Sequence, residues 1–502
     1  MKRQHGIGRS SVLAAVLGLG LGGSLLAPPA VADGPRAPQV RWGACPEDVV
    51  AEAAPTTLQC GTVPVPVDYA DPGGAEIDLM ISRLARTDPD KRRGILMLNP
   101  GGPGGSGLAL SAQLVSLGLP SSVTDRYDVI GMDTRGIGHS APVSCGFTDD
   151  SPYIANVPPY AVDDAAVTAQ AKVAEQVAEQ CARNDHDGRL RQMTTANTAR
   201  DLDRIRAALG EEKTSYLGYS YGTALGAAYA SMFPGRSDRI VLDSNIGDTH
   251  LDRDGMRRYA LGVEQTFPAF AKWASARHDD YGLGRTPAEV RETYFALAER
   301  LDKAPTEGFD GGLFRQLTFA FLFNEAQYPK LAEQWRALNS GDDAALRRLR
   351  SENATASGAP SPADNPLSVF ASVTCNDVEW PEDVDTYRRG VAEDRERYPL
   401  FGAAAANITP CAFWTKAERP VAINDAGPRN VLIVQNLRDP VTPHEGGKLL
   451  RQKFKDRSRL LSVDASGHGA YVISGNPCAL NTTTRFLVEG KMPAKDTLCS
   501  AS

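Results

Sequence analysis

The sequence predicts an α/β protein whose mostly parallel central sheet is flanked by helices. Three observations indicate this class. From about residue 75, short apolar runs alternate with segments of helical character. The runs are apolar along their whole length, which is typical of parallel strands that are covered on both faces. A chain of 502 residues with 42% hydrophobic content can also bury a large core.

Six apolar runs give the expected strands, and one segment between them gives a clear helix. The helix is expected over 195–210, where Leu202, Ile205 and Leu209 follow helical spacing and Gly210 ends the pattern. The strands are expected at residues 94–99, 127–133, 215–220, 239–245, 430–436 and 459–465.

The long interval between the fourth and fifth of these runs lacks the alternation and has helical character. Within it, Thr286 and Glu289 have the spacing of a capping box, with a proline at the first helical position. The sequence therefore predicts a core in two parts, 33–248 and 430–502, with a helical cap at 249–429 inserted between them.

Residues 1–32 predict a cleaved export signal. Lys2, Arg3 and Arg9 precede an apolar stretch over about 12–26, and the segment ends in small residues. The stretch is shorter than the ~20 residues of a membrane-spanning helix and is interrupted by glycines. Cleavage removes three positive charges and no acidic residue, which moves the formal net charge from −7 to −10. We therefore expect a soluble, secreted, extracellular protein with no nucleic-acid or membrane partner.

All eight cysteines lie beyond the signal, and an even number in an exported chain predicts disulfides. No cysteine or histidine spacing typical of a zinc site is present, so we expect no metal. Pairing neighbours along the chain closes the shortest loops and is our hypothesis: Cys45 with Cys60, Cys145 with Cys181, Cys375 with Cys411, and Cys478 with Cys499.

The stretch Gly218-Tyr219-Ser220-Tyr221-Gly222 lies between an expected strand and an expected helix. In that setting, G-x-S-x-G places a serine on a sharp turn with its hydroxyl exposed at the end of the strand. Side chains two residues to either side would collide across so tight a turn, which favours glycine there. Ser220 is therefore the candidate nucleophile, and an ordinary turn serine is the alternative.

A serine hydroxyl needs a base to take its proton, and the base needs an acid to orient its ring. His468, between two glycines after the last expected strand, is the candidate base, and His444 is the alternative. Asp439, where a strand gives way to a loop, is the candidate acid. Asp243 at the end of an earlier strand is its main rival, and Asp464 is interpreted as structural.

The glycine-rich loop NPGGPGGSG at 99–107 follows the first expected strand. We expect the main-chain N–H groups of its Gly102 and of Tyr221, the residue after the nucleophile, to bind the oxyanion. A phosphate cradle is the alternative interpretation of this loop. It is disfavoured because the loop lacks the lysine of a P-loop and the spacing of a dinucleotide-binding motif.

These motifs, in the order NPGGPGGSG, DTRGIGHS, GYSYGT, NLRDPVTP and SGHGAY, resemble those of the proline iminopeptidase and tripeptidyl aminopeptidase group of α/β-hydrolases. The resemblance covers nearly the whole mature chain. It implies an α/β-hydrolase fold with the cap between the sixth and seventh core strands, a triad of Ser220, Asp439 and His468, and release of short peptides from a free N-terminus. Pro100 stands where prolyl members begin this loop with histidine, which favours the tripeptidyl branch.

An exopeptidase of this kind needs a group that holds the substrate ammonium at a fixed distance from Ser220. The run CNDVEW offers Asp377 and Glu379 as candidate anchors. Glu264 and Glu325 are alternatives, and each of the four also fits a solvated surface acid.

The sequence therefore predicts a secreted serine exopeptidase that acts on peptides with a free N-terminus, requires no cofactor and is a monomer. A carboxylic-ester hydrolase with the same triad is the alternative, because one machinery serves both substrates. A binding protein on the same scaffold is disfavoured, since all three triad positions are present.

Overall fold

The computed structural model describes residues 40–247, 250–351, 361–414 and 419–501. The expected export signal at 1–32 lies outside the described residues. Within those ranges, the structure contains no helix that is both long and apolar enough to cross a membrane.

The described strands join in a single sheet. In sequence order they are β1 (Gln59–Pro66), β2 (Glu76–Leu84), β3 (Gly94–Asn99), β4 (Tyr127–Met132), β5 (Thr214–Tyr219), β6 (Ser237–Asp243), β7 (Val431–Arg438), β8 (Ser458–Ser466) and β9 (Thr497–Cys499). Across the sheet the order is β1-β2-β4-β3-β5-β6-β7-β8-β9. The pairs β1–β2 and β2–β4 are antiparallel and all other neighbours are parallel, which confirms the expected mostly parallel sheet.

The six expected strands are all present, and β1, β2 and β9 are additional. β1 and β9 form the two edges of the sheet. β1 carries Pro64 and Pro66, which an edge strand tolerates because one side of its backbone needs no partner, and β9 has only three residues. Neither strand has the continuous apolar run that identifies a central parallel strand.

The helices pack on both faces of the sheet and over one end of it. They are α1 (Glu47–Ala53), α2 (Leu110–Ser116), α3 (Ser121–Thr124), α4 (Asp164–Asn184), α5 (Thr195–Ala208), α6 (Tyr221–Met232), α7 (Arg253–Ser275), α8 (His278–Tyr281), α9 (Pro287–Lys303), α10 (Gly311–Phe321), α11 (Tyr328–Ser340), α12 (Asp343–Ser351), α13 (Asp364–Asp377), α14 (Val384–Arg397), α15 (Gly402–Ala405), α16 (His444–Phe454) and α17 (Pro477–Glu489). Between β6 and β7, the described residues form α7 to α15 and no strand.

Alternate residues of each central strand pack against opposite layers. In β3, Leu96 and Leu98 pack with α2 and α17, whereas Ile95 and Met97 pack with α5, α6 and the helices that follow β6. This burial on both faces explains why the central strands are apolar throughout.

The region that follows β6 has an aromatic centre, in which the rings of Phe267 and Trp335 contact each other and both contact Phe270 and Tyr294. Helix α4 from the first part of the core also packs there, because Val167 and its neighbours share a cluster with residues of α14 and α15. The division into a core and a cap at 249–429 stays a prediction. Helix α4 lies outside these bounds but packs with helices of the predicted cap.

The hypothesis on the disulfides is confirmed. The four bonds join Cys45 to Cys60, Cys145 to Cys181, Cys375 to Cys411, and Cys478 to Cys499. Each closes a short loop, and no free cysteine is found among the described residues.

Candidate active site

Ser220 lies on a strained turn between β5 and α6. Its φ is 56° and its ψ is −127°, a left-handed conformation that residues other than glycine rarely adopt. A Cβ atom on Gly218 would lie 2.4 Å from the carbonyl oxygen of Gly222, and one on Gly222 would lie 2.8 Å from Oδ1 of Asn99. The two glycines of the motif are therefore required by close packing around Ser220.

Main-chain hydrogen bonds fix this turn to the sheet. The N–H of Ser220 donates to the carbonyl oxygen of Asp243 at 3.0 Å, and the carbonyl of Ser220 accepts from the N–H of Thr223 at 2.8 Å. Ser220 itself is only partly buried. The candidate nucleophile is thus rigidly held at the carboxyl end of β5, next to the end of β6.

His468 and Asp439 form a hydrogen-bonded pair on the loops that follow β8 and β7. Nδ1 of His468 lies 2.9 Å from Oδ2 and 3.1 Å from Oδ1 of Asp439, whose carboxylate is fully buried. Oδ1 also accepts from the N–H groups of Val441 and Thr442 at 3.0 and 2.8 Å, and Oδ2 accepts from the Thr442 hydroxyl at 2.8 Å. Four donors from three residues therefore hold the carboxylate in place beside the imidazole.

The environment of His468 favours the charged imidazole. Burial alone would lower the pKa of His468, but the carboxylates of Asp439 and Asp243 outweigh it and raise that pKa above its ordinary value. A base that must hold the proton of the attacking hydroxyl benefits from this, because the imidazolium that forms is stabilised.

The loop that carries His468, which we term the histidine loop (467–471), has all five main-chain N–H groups bound by distant residues. In chain order they donate to the carbonyl of Arg438, the carbonyl of Phe323, Oγ of Ser244, Oδ1 of Asp243 and Oδ2 of Asp243, at 2.6 to 2.9 Å. The position of the imidazole is therefore set by the core and by the segment that follows α10 together.

Asp243 connects the candidate nucleophile to the histidine loop. Its main-chain carbonyl accepts from Ser220, while its carboxylate accepts from Ala470, Tyr471 and the Ser244 hydroxyl. Burial raises the pKa of this carboxylate to about 6, although the Tyr471 N–H and the other donors oppose that rise. Asp243 therefore supports the loop that carries the imidazole, whereas Asp439 bonds to the ring itself. This connecting role was not predicted, and the place of Asp243 at the end of an apolar strand was the only signal for it.

His444 and Asp464 are bonded elsewhere. Nε2 of His444 lies 2.8 Å from Oγ of Ser462, and burial lowers the pKa of that histidine. Asp464 is partly exposed and pairs with Arg438 at 2.7 Å. Of the acids considered, the structure therefore brings Asp439 to Nδ1 of His468.

The glycine-rich loop after β3 packs directly against the turn at Ser220. A Cβ atom on Gly101 would lie 2.8 Å from Cβ of Ser220 and 3.1 Å from the nitrogen of Tyr221. Within the described ranges, the main-chain N–H groups of Gly102 and Tyr221 donate to no protein acceptor. Tyr221 directly follows the serine and Gly102 directly follows Gly101, so both remain candidate oxyanion donors.

Of the candidate amine anchors, Asp377 is buried and Glu379 is exposed. The Asp377 carboxylate accepts from both the N–H and the hydroxyl of Thr195, and the Thr195 hydroxyl lies 2.7 Å from the phenol oxygen of Tyr221. Asp377 is therefore linked to the residue after the nucleophile.

Glu264 and Glu325 lie in different environments. Glu264 pairs with Arg291 at 3.0 Å and accepts from the N–H of Leu400 at 2.9 Å. Glu325 is exposed on the short turn that precedes α11. The carboxylate of Glu264 thus already has a cationic partner, which leaves it less suited to bind an ammonium group.

Among known families, the model described as TAP-like protein matches residues 398–499. The tripeptidyl aminopeptidase of Streptomyces lividans is 35% identical over 473 residues, which cover 90% of this chain and 86% of that protein. The serine protease Hip1 of Mycobacterium tuberculosis is 29% identical over 92% of this chain and 91% of its own. A protein of the same organism named carboxylesterase B is 29% identical over 92% of this chain and 90% of its own.

Proposed function

The chain belongs to the tripeptidyl aminopeptidase family of α/β-hydrolases, and we propose that it is a secreted exopeptidase that releases short peptides, chiefly tripeptides, from a free N-terminus. The enzyme is a serine hydrolase of the tripeptidyl aminopeptidase type. Its four disulfides support export, because such bonds persist in oxidising compartments.

The mechanism follows from the roles of five groups. Ser220 attacks the peptide carbonyl while His468 takes its proton, and Asp439 orients and stabilises the imidazolium. The N–H groups of Gly102 and Tyr221 bind the oxyanion of the tetrahedral intermediate. His468 then protonates the leaving nitrogen, and water repeats the sequence on the acyl-enzyme to release the short peptide.

One observation carries this proposal. The hydrogen-bonded pair of His468 and Asp439 lies on loops after β8 and β7. These loops leave the carboxyl ends of the parallel strands, as does the strained turn after β5 that carries Ser220. Asp243, at the end of the intervening β6, binds both the turn and the histidine loop. The strained backbone at Ser220 supports a catalytic role, because such strain is typical of active sites and a serine that only formed a turn would not require it.

The proposal is tested with three substrates and one variant. We expect the wild type to cleave a free-amine tripeptide anilide at least tenfold faster, in kcat/KM, than its N-acetylated form. A short-chain aryl ester should be cleaved less efficiently than the free-amine anilide once the intrinsic reactivity of the ester is taken into account. Ser220→Ala should abolish all three activities, since the acyl-enzyme cannot form. Equal rates on the free and the blocked peptide would contradict an exopeptidase.

The relative named carboxylesterase B supports a second candidate, an ester hydrolase with the same triad. This candidate predicts that the aryl ester is turned over in a Ser220-dependent manner while neither anilide is cleaved. Measuring the three substrates side by side therefore separates the two functions.

For recognition of the substrate amine we propose the carboxyl end of α13, with Glu379 as the exposed acid that binds the ammonium and the buried Asp377, which is bonded to Thr195, as a second acid. Glu379→Gln should reduce the preference for the free amine over the N-acetylated peptide, because it removes a charge that attracts the ammonium. Glu382→Gln, which alters another exposed acid nearby in sequence, is the matched control. An unchanged preference in Glu379→Gln would remove this residue from the site.

A further inference from the structure

Phe323 contacts the histidine loop with both its main chain and its ring. Its carbonyl accepts from the N–H of His468 at 2.7 Å. Its ring centroid lies 5.4 Å from that of the imidazole, with the two planes inclined at 64°. Phe323 follows α10, so this contact joins a segment inserted between β6 and β7 to the candidate base.

The ring of Phe323 belongs to a continuous group of aromatic side chains, which we term the aromatic wall (Tyr259, Phe319, Phe323 and Phe401). Phe319 lies edge-on to Phe323 at 5.2 Å and stacks on Phe401 at 4.6 Å and on Tyr259 at 5.7 Å. Phe401 and Tyr259 are buried, whereas Phe319 and Phe323 are partly exposed. The two inner rings therefore support two outer rings that retain accessible apolar surface.

The chemistry of the reaction fixes which part of a substrate meets this surface. His468 must reach the leaving nitrogen to protonate it, so that nitrogen lies within hydrogen-bonding distance of the imidazole. The nitrogen belongs to the residue that follows the scissile bond. The centroid of the Phe323 ring lies 5.4 Å from that of the imidazole, so the ring is a surface that a side chain on that residue can reach.

We propose that Phe323, supported by Phe319, forms a subsite that selects an apolar or aromatic side chain on the residue following the scissile bond. The proposal rests on the peptidase function above and specifies its substrate class. An apolar side chain loses water-exposed surface against the ring, and an aromatic one adds a favourable ring-to-ring contact. An acidic side chain gains neither and loses hydration.

The test uses tetrapeptide amides with a free amine and the sequence Ala-Ala-Ala-Y, in which Y is Gly, Leu, Phe or Glu. Release of Ala-Ala-Ala is followed by chromatography, and kcat/KM is measured for each peptide. We expect the wild type to prefer Phe over Gly by roughly tenfold or more, which is the range for one apolar side chain in a pocket. Phe323→Ala should bring this ratio close to one, and Phe323→Leu should retain part of it.

Phe295→Ala is the matched control, because it removes a partly buried ring on α9 that contacts Tyr294 and Arg291 instead of His468. It should leave the ratio unchanged. The subsite would be overturned if the Phe/Gly ratio of Phe323→Ala equalled that of the wild type. If kcat/KM fell equally for all four peptides, the ring would only position the imidazole. If the wild type cleaves none of the tetrapeptides, the peptidase function itself fails, and the subsite with it.

Discussion

Replacing Asp243 with asparagine distinguishes the roles of Asp243 and Asp439, the two buried acids that lie near the imidazole. The carboxylate accepts from the N–H groups of Ala470 and Tyr471 at 2.8 and 2.6 Å. Asparagine keeps one acceptor oxygen but turns an amide N–H toward the other donor. One main-chain N–H of the histidine loop is then left unpaired in the interior, which costs about 1–3 kcal/mol.

An opposing effect keeps the folded state stable in this variant. Burial raises the pKa of Asp243 to about 6, from an ordinary value of 3.8. At neutral pH the buried charge therefore costs about 3 kcal/mol, which a neutral amide does not incur. The two effects cancel to within about 2 kcal/mol, so the Tm of Asp243→Asn should differ from that of the wild type by only a few degrees.

The pH dependence of stability has a defined sign. The folded state binds the proton of Asp243 more tightly than the unfolded chain does, so wild-type stability falls as the pH rises from about 4 to about 6. The asparagine variant lacks this dependence. The wild type should therefore gain stability relative to Asp243→Asn as the pH is lowered through this window, measured by denaturant unfolding.

Activity should respond much more strongly than stability. An unpaired N–H in the histidine loop displaces the imidazole, and a misplacement on the order of 1 Å can lower the rate about 10²-fold. Asp439→Asn should cost about 10⁴-fold, because it removes the group that sets the imidazole tautomer. The assay is kcat and KM on a free-amine tripeptide anilide, with Asp464→Asn as a control that changes an acid paired with Arg438. A loss in Asp243→Asn as large as that in Asp439→Asn would refute the assignment of Asp439 as the acid.

Three further predictions address the base, its acid and the framework. The pKa of His468 is raised, and the base must be neutral to act. The acidic limb of the kcat/KM–pH profile should therefore have its midpoint above the ordinary pKa of histidine, and Asp439→Asn should move that midpoint to lower pH. Thr442→Val removes the hydroxyl that donates to Asp439, so kcat should fall about tenfold at similar KM, with Thr442→Ser restoring it. Replacing both Cys375 and Cys411 with alanine should lower the free energy of unfolding by about 4 kcal/mol in urea, since the bond closes a separation of 36 residues.

Much of the fold could be predicted because central parallel strands have a pattern of their own. The runs that became β3 to β8 are apolar on both faces, and this pattern needs no knowledge of partners. The hairpin β1–β2 alternates polar and apolar residues at the sheet edge, where Pro64 and Pro66 are tolerated. This alternation is typical of a half-buried strand, but the prediction rested on continuous apolar runs and therefore missed β1 and β2.

The site was predictable where local geometry restricts the choice of residue. The turn at Ser220 excludes side chains at Gly218 and Gly222, so the motif is visible in the sequence. The choice between Asp439 and Asp243 was open, because both lie at the carboxyl ends of neighbouring parallel strands. It depends on which carboxylate reaches Nδ1 of His468, and only the arrangement of the loops in space determines that.

The remaining groups escaped prediction for a different reason. Two of the five acceptors of the histidine loop are main-chain carbonyls, which every residue carries, so no sequence pattern identifies them. Phe323 is such a case, since its carbonyl would serve equally well on any residue while its ring is specific to this chain. Any residue at that position could accept the hydrogen bond from His468, so the identity of the side chain can instead determine selectivity. This separation explains why Phe323→Ala is expected to remove the preference among the peptides without removing the hydrogen bond that holds His468.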